Sequence, residues 1–183
     1  MARALTLCGS IRKGSYNEIL RRHVSGKLVE AGAEVEDIDL GDYALPIFNE
    51  DIEAEGMPAA AVALAEKFAA ADIVFIASPE YNSGASPLIV NTISWISRQR
   101  LGQFRKPVFG LGAVSSGKYG AIVGIGHLRD SLLKLGALVT PTLLGIGPAR
   151  DAFDETGAPR EEAIAKKVDQ QVRELIHFSR GGI

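Results

Sequence analysis

Apolar residues recur along this chain in two rhythms. Short apolar runs stand at Ala4 to Cys8, interrupted only by Thr6, and at Ile73-Val74-Phe75-Ile76-Ala77, and between them longer stretches repeat every three to four positions. Such a run bounded by polar turns is a strand covered on both faces, whereas the longer repeat is an amphipathic helix. On that basis residues 4–8 and 73–77 form strands, as do Val35 to Leu40, Pro107 to Val114, and Val139 to Ile146, the last broken by Pro141. Helices fall at 17–31, with Ile19, Leu20, His23, Val24, Leu28 and Val29 on one stripe and Asn17 as cap, and at 58–71, 87–100, 120–135 and 159–178. Tyr43 to Met57 is acidic and interrupted by Pro46, which predicts a surface excursion with Leu45, Ile47 and Phe48 tucked inward. Five strands alternating with five helices predict an α/β fold, a doubly wound five-stranded parallel sheet with helices on both faces.

Such sheets bind ligands beyond the carboxyl ends of their strands, at the point where strand order reverses. That rule selects three loops, 9–17, 78–87 and 114–120. The first reads Gly9-Ser10-Ile11-Arg12-Lys13-Gly14-Ser15-Tyr16-Asn17 and opens a helix, so its amides, hydroxyls and arginine converge on an anion. A Walker loop requires lysine and a hydroxyl after the second glycine, but Ser15 and Tyr16 stand there. The Gly-x-Gly-x-x-Gly dinucleotide motif fails at Ile11. A thiol phosphatase would need an arginine where Gly14 follows Cys8, and Cys8 itself closes an apolar run as strand core. A monophosphate held by hydroxyls and amides without metal remains, which is the chemistry of flavin mononucleotide.

Composition narrows the class without changing the site. With 183 residues, 46% hydrophobic and 23% charged, the chain fits a single domain, 1–183, that buries roughly 70% of its unfolded surface. A net charge of -2 speaks against a nucleic-acid surface and against the strongly acidic docking face of an electron carrier. One cysteine allows no internal disulfide, no run is long enough to span a membrane, and the N-terminus leads directly into a strand. The expected location is cytoplasmic. His23, His127 and His177 show no ligand spacing and are read as structural, with no metal site.

The second loop, Ser78-Pro79-Glu80-Tyr81-Asn82-Ser83-Gly84-Ala85-Ser86-Pro87, mixes a rigid proline, an aromatic and an amide at the end of the most apolar strand, as a planar heterocycle requires. The third, Ser115-Ser116-Gly117-Lys118-Tyr119-Gly120, offers small residues whose backbone can run close to a ring edge. Together with Asn91, Trp95 and Lys106-Pro107-Val108, these motifs resemble the NAD(P)H-dependent FMN reductases of flavodoxin-like fold, a family that includes chromate, quinone and azo-dye reductases. The resemblance covers nearly the whole chain. It implies that Ser10, Arg12, Ser15 and Asn17 hold the FMN phosphate, with Lys13, Gly14 and Tyr16 among the backbone contacts of the same loop. It further implies that Pro79, Glu80, Tyr81 and Asn82 line the ribityl chain and ring, and that Ser115, Ser116 and Gly117 face the pyrimidine end.

The implied reaction is hydride transfer from NAD(P)H to FMN and onward to a quinone, azo, chromate or free-flavin acceptor by a ping-pong mechanism, with no catalytic side chain required. A flavodoxin-like carrier, or a regulatory flavin-binding module without turnover, is the competing reading. Glu80 is either a carboxylate ordering its loop by accepting N–H bonds or a general acid. Trp95 is read as core or interface, and Leu45 to Phe48 as an interface or a pocket wall. The resemblance also implies a homodimer or homotetramer, although this chain departs from relatives that often carry lysine and aspartate where Val90 and Ser94 stand, on a helix used for subunit contact.

Overall fold

The structure, a computed structural model, describes residues 1–181. Its central sheet is β1 (Arg3–Cys8), β2 (Glu34–Ile38), β3 (Ile73–Ala77), β6 (Val108–Val114) and β7 (Leu138–Ile146), all parallel, in the order β2-β1-β3-β6-β7. A two-stranded hairpin, β4 (Glu80–Tyr81) and β5 (Gly84–Ala85), lies beyond the end of β3. The helices are α1 (Tyr16–Glu30), α2 (Glu50–Glu55), α3 (Ala59–Ala70), α4 (Pro87–Ser97), α5 (Ile122–Lys134) and α6 (Glu162–Ser179).

Strand periodicity divides the core in two. In β3, Val74 and Ile76 face a layer built from Leu64 and Phe68 of α3, Ile96 of α4 and Leu128 and Leu132 of α5. Ile73 and Phe75 face the opposite layer, where Leu20, Val24 and Leu28 of α1 meet Val168 and Leu175 of α6. β6 carries glycine on that second face for a steric reason. A Cβ at Gly110 would stand 2.9 Å from Leu175 Cδ1 and one at Gly112 would stand 2.8 Å from Leu20 Cδ2, so both helices seat directly on the strand.

Pro141 supplies no N–H to the ladder, and the β6–β7 register shifts between Phe109 and Leu111. Fully buried Gln171 of α6 fills the gap, its Nε2 donating to Leu111 O at 3.0 Å and to Thr142 O at 2.6 Å. Glu174 accepts from the Thr142 amide at 3.0 Å and from its hydroxyl at 2.7 Å.

Several expectations need correcting. Asn17 does not cap α1: Ser15 occupies that position, and Asn17 points into the core. The excursion 43–57 contains α2, capped by the Asn49 side chain accepting from Asp51 N at 2.8 Å. Its apolar residues divide: Leu45 packs on the core and Phe48 stacks edge-on against Trp95 at 5.0 Å, but Ile47 is 86% exposed. Val29, predicted on the helix stripe, is exposed, and the last helix starts at Glu162 rather than Pro159. Asn91 and Trp95 of α4 hold the excursion down. The Asn91 amide donates to Pro46 O at 2.9 Å and accepts from Phe48 N at 2.8 Å, while Trp95 Nε1 donates to Pro46 O at 2.7 Å. Trp95 is fully buried.

Candidate functional site: three joined loops at the switch point

Strand order reverses between β1 and β3, and the loops after β1, β3 and β6 meet there. They are joined by buried bonds. Gly9 N donates to Ala77 O at 2.8 Å, and the Ser86 hydroxyl donates to Gly9 O at 2.6 Å. A Cβ at Gly9 would lie 2.6 Å from Ile89 Cγ1 and 3.2 Å from Pro79 Cδ, so only glycine lets the first loop lie this close to the second. The link to the third loop is Asn17, whose Nδ2 donates to Val114 O at 3.0 Å while its Oδ1 accepts from Val114 N at 2.9 Å.

The first loop keeps free donors pointed outward from this frame. Gly14 turns with φ of 70°, and the amides of Tyr16 and Asn17 at the start of α1 have no acceptor among the described residues. Ser15 is buried and makes no side-chain cap bond. Ser10 accepts from Arg12 N at 3.3 Å; exposed Arg12 folds back so that Nη1 donates to Lys13 O at 3.1 Å. Unpaired first-turn amides beside two hydroxyls and an arginine fit a phosphate, because the helix terminus carries partial positive charge. Cys8 beneath the loop is no nucleophile: burial pushes its thiol up to about 11, against hydrogen bonding from Ser10 and Ser15 that pulls the other way.

The ring loops are more ordered than their sequence suggests. Tyr81-Asn82-Ser83-Gly84 closes the hairpin with φ of 51° and 61° at its two central residues, the signs a type I′ turn requires. Glu80 anchors this hairpin to α5, its Oε2 accepting from Gly124 N at 2.7 Å. That contact supports the loop-ordering reading of Glu80. A Cβ on Gly124 would meet Gly84 O at 2.9 Å and Glu80 Cγ at 3.0 Å, so α5 and the hairpin touch backbone to backbone. In the third loop Ser115 is tied to β7 through Ile146 O at 3.1 Å, and Ser116, Gly117, Lys118 and Tyr119 stay exposed. Pro79 is half-buried; Tyr81 and Asn82 are exposed.

One cluster was not foreseen. Arg21 is buried on the core stripe of α1, pairing with Glu18 at 2.8 Å and Asp37 at 2.5 Å and donating to Thr6 Oγ1 at 2.8 Å. Burial opposes its charge, but Glu18 and Asp37 outweigh that and raise its pKa. The available signal was positional: Arg21 follows Asn17 by one turn and adjoins Leu20 on the buried face. Among the described residues no group of three His, Cys, Asp or Glu side chains is placed to hold a metal ion.

The family model described as NADPH-dependent FMN reductase matches residues 2–151. The chain belongs to the NADPH-dependent FMN reductase family. As a member it is an oxidoreductase with FMN as its flavin and a reduced nicotinamide dinucleotide as electron source. It is 35% identical over 176 residues to an NAD(P)H-dependent FMN reductase of Pseudomonas aeruginosa, covering 94% of this chain and 92% of that one. A quinone reductase of Escherichia coli K12 is 34% identical over 182 residues, covering 94% and 84%. Among solved structures, the flavoenzyme NAD(P)H:(acceptor) oxidoreductase FerB from Paracoccus denitrificans superposes with a TM-score of 0.85 at 26% identity, covering 100% of this chain and 99% of that one. The matched segment contains all three switch-point loops, 9–17, 78–87 and 114–120.

Proposed function

We propose that this chain is a one-domain FMN reductase that takes a hydride from NADPH or NADH and passes electrons to quinone-type acceptors in two alternating half-reactions. The carrying observation is the first loop: rigidly bonded to β3, α4 and β6, it leaves the Tyr16 and Asn17 amides unpaired beside Ser10, Arg12 and Ser15. These groups hold the phosphate together with the Lys13 and Gly14 backbone. Pro79, Glu80, Tyr81 and Asn82 line the ribityl chain and ring, and Ser115, Ser116 and Gly117 face the pyrimidine end. The Asn17 side chain acts chiefly through Val114, its Nδ2 and Oδ1 both already engaged there. Bound FMN supplies the two-electron chemistry, so the protein's part is to position it and leave one ring face open. An open face also takes azo compounds, chromate and free flavin.

The exposed Val90 on α4 and the 86% exposed Ile47, in the segment that Asn91 of α4 pins through Pro46 and Phe48, support a homodimer or homotetramer built through α4. No helix among the described residues is long and apolar enough to cross a membrane, and a cytoplasmic location fits the single unpaired cysteine.

Arg12→Ala weakens FMN at least tenfold while leaving riboflavin unchanged, since loss of one charged hydrogen bond costs about 1.5 kcal/mol or more and only FMN has the phosphate. Flavin fluorescence titration reads this, and equal loss for both ligands removes Arg12 from the phosphate site. Anaerobic mixing of the FMN-loaded protein with NADPH and with NADH bleaches the flavin. A flavin that stays oxidised with both would mark a carrier instead.

A further inference from the structure

Gly9 is held from both ends of the ring loop 78–87. Its N–H donates to Ala77 O at 2.8 Å, one residue before that loop begins, and its C=O accepts from the Ser86 hydroxyl at 2.6 Å, one residue before α4. The first bond continues the β1–β3 pairing of Cys8 with Ala77, so the sheet supplies it. The second needs a side chain that no strand or helix ladder provides. We propose that Ser86 is a positioning residue that couples the two halves of the flavin site, so that an anion seated on the first loop also holds the ring loop closed. The proposal rests on the reading that residues 9–17 hold the FMN phosphate.

Ser86 also stands at the N-cap of α4, where its oxygen accepts from Ile89 N. Distance ranks the two bonds. The cap contact is 3.4 Å, beyond the usual span of an N–H to O bond, whereas 2.6 Å to Gly9 O is short even for a hydroxyl donor. A hydroxyl has one proton, and Gly9 takes it. Both residues are buried, so a Gly9 carbonyl stripped of this donor would stay without a partner. The Ser86 N–H reaches Ser78 Oγ at 3.4 Å, and buried Ser78 in turn donates to Pro79 O at 3.2 Å. Gly9 and the two ends of the ring loop therefore form one polar cluster. It has no slack, because a Cβ at Gly9 would lie 2.6 Å from Ile89 Cγ1 and 3.2 Å from Ser86 Oγ. Segments bonded this closely open together, and a ligand that stabilises one protects the other.

Hydrogen exchange of the full-length, flavin-free chain with inorganic phosphate reads this coupling, since free phosphate carries no ring and cannot touch the ring loop through one. With phosphate at about ten times its dissociation constant, mass action slows exchange about tenfold wherever opening must release the ion. Slowing of that size is expected in the wild type at the amides of 10–17 and also at those of 80–86. In Ser86→Gly it is expected at 10–17 alone. Glycine keeps most of the capping preference while removing the hydroxyl, so a serine that only capped α4 would leave the effect at 80–86 intact. Ser86→Thr, which keeps the hydroxyl, is expected to restore it. Slowing confined to 10–17 in the wild type overturns the proposal and leaves the phosphate reading in place, as does slowing at 80–86 that survives in Ser86→Gly. Slowing at neither loop removes the phosphate reading and the proposal with it. Should Ser86→Gly fail to fold, the wild-type profile decides alone.

Discussion

Asn17 shows how much one side chain can fix when both of its polar atoms find partners. Its amide replaces a strand neighbour for Val114, closing both the N–H and the C=O of a buried residue 97 positions away. Asn17→Ala leaves that pair unsatisfied, and unfolding stability falls by about 2 kcal/mol or more, read from urea denaturation. A loss below about 1 kcal/mol would mean that water serves Val114 equally well. Local rules read an asparagine at a helix start as a cap, because they see only the following turn. Nothing within α1 indicates that its partner is the end of β6.

At the scale of elements, the site is a matter of how a hairpin, a helix start and a loop are held apart. Among the described residues three non-glycine residues have positive φ, Asn82, Ser83 and Ala121, and all lie in the hairpin or at the entry to α5. Each such residue costs about 1 kcal/mol, which the surrounding contacts must offset. Glu80 is the bond that crosses between the two elements. Glu80→Ala frees the hairpin from α5 and weakens FMN about tenfold, whereas Glu80→Gln, which keeps an acceptor oxygen, stays near wild type. Equal loss in both variants, measured by flavin fluorescence, would assign the charge rather than the tether. The hairpin was read as a plain loop because Asn82-Ser83 lacks the glycine that usually marks a type I′ turn, and two-residue strands show no alternation.

Across the whole molecule, the first loop and α1 are tied to the sheet edge by the Glu18, Arg21 and Asp37 cluster, so its charge state reaches the site. Burial raises the carboxyl pKa values of Asp37 and Glu18, but hydrogen bonds to Asp37 from Thr6 and Ser25 and the arginines around both groups outweigh it, holding each below its ordinary value of 3.8 or 4.5. A depressed folded pKa stabilises the fold above the ordinary value and loses that contribution as pH falls below it. Thermal melts are therefore expected to drop in midpoint below about pH 4.5, with Asp37→Asn flattening the lower part of the slope. A midpoint unchanged down to pH 3 would show that the cluster does not couple to folding. The strands β1, β3 and β6, their order along the chain and the position of the loop 9–17 between β1 and α1 were legible in the sequence, because apolar periodicity and turn chemistry are local properties. Asn91 and Trp95 could be singled out by resemblance, yet their work of pinning Pro46 emerged only when α4 met the excursion. Likewise Arg21 and Asp37 are ordinary charges along the chain, and their burial together against Thr6 depends on β2 pairing with β1. Sequence periodicity determined which segments become strands and helices, since each must bury one face or both. Which polar atoms meet across those segments, and so where free donors and an oriented carboxylate are left, was decided by the tertiary structure, because hydrogen bonds between distant residues leave no period to read.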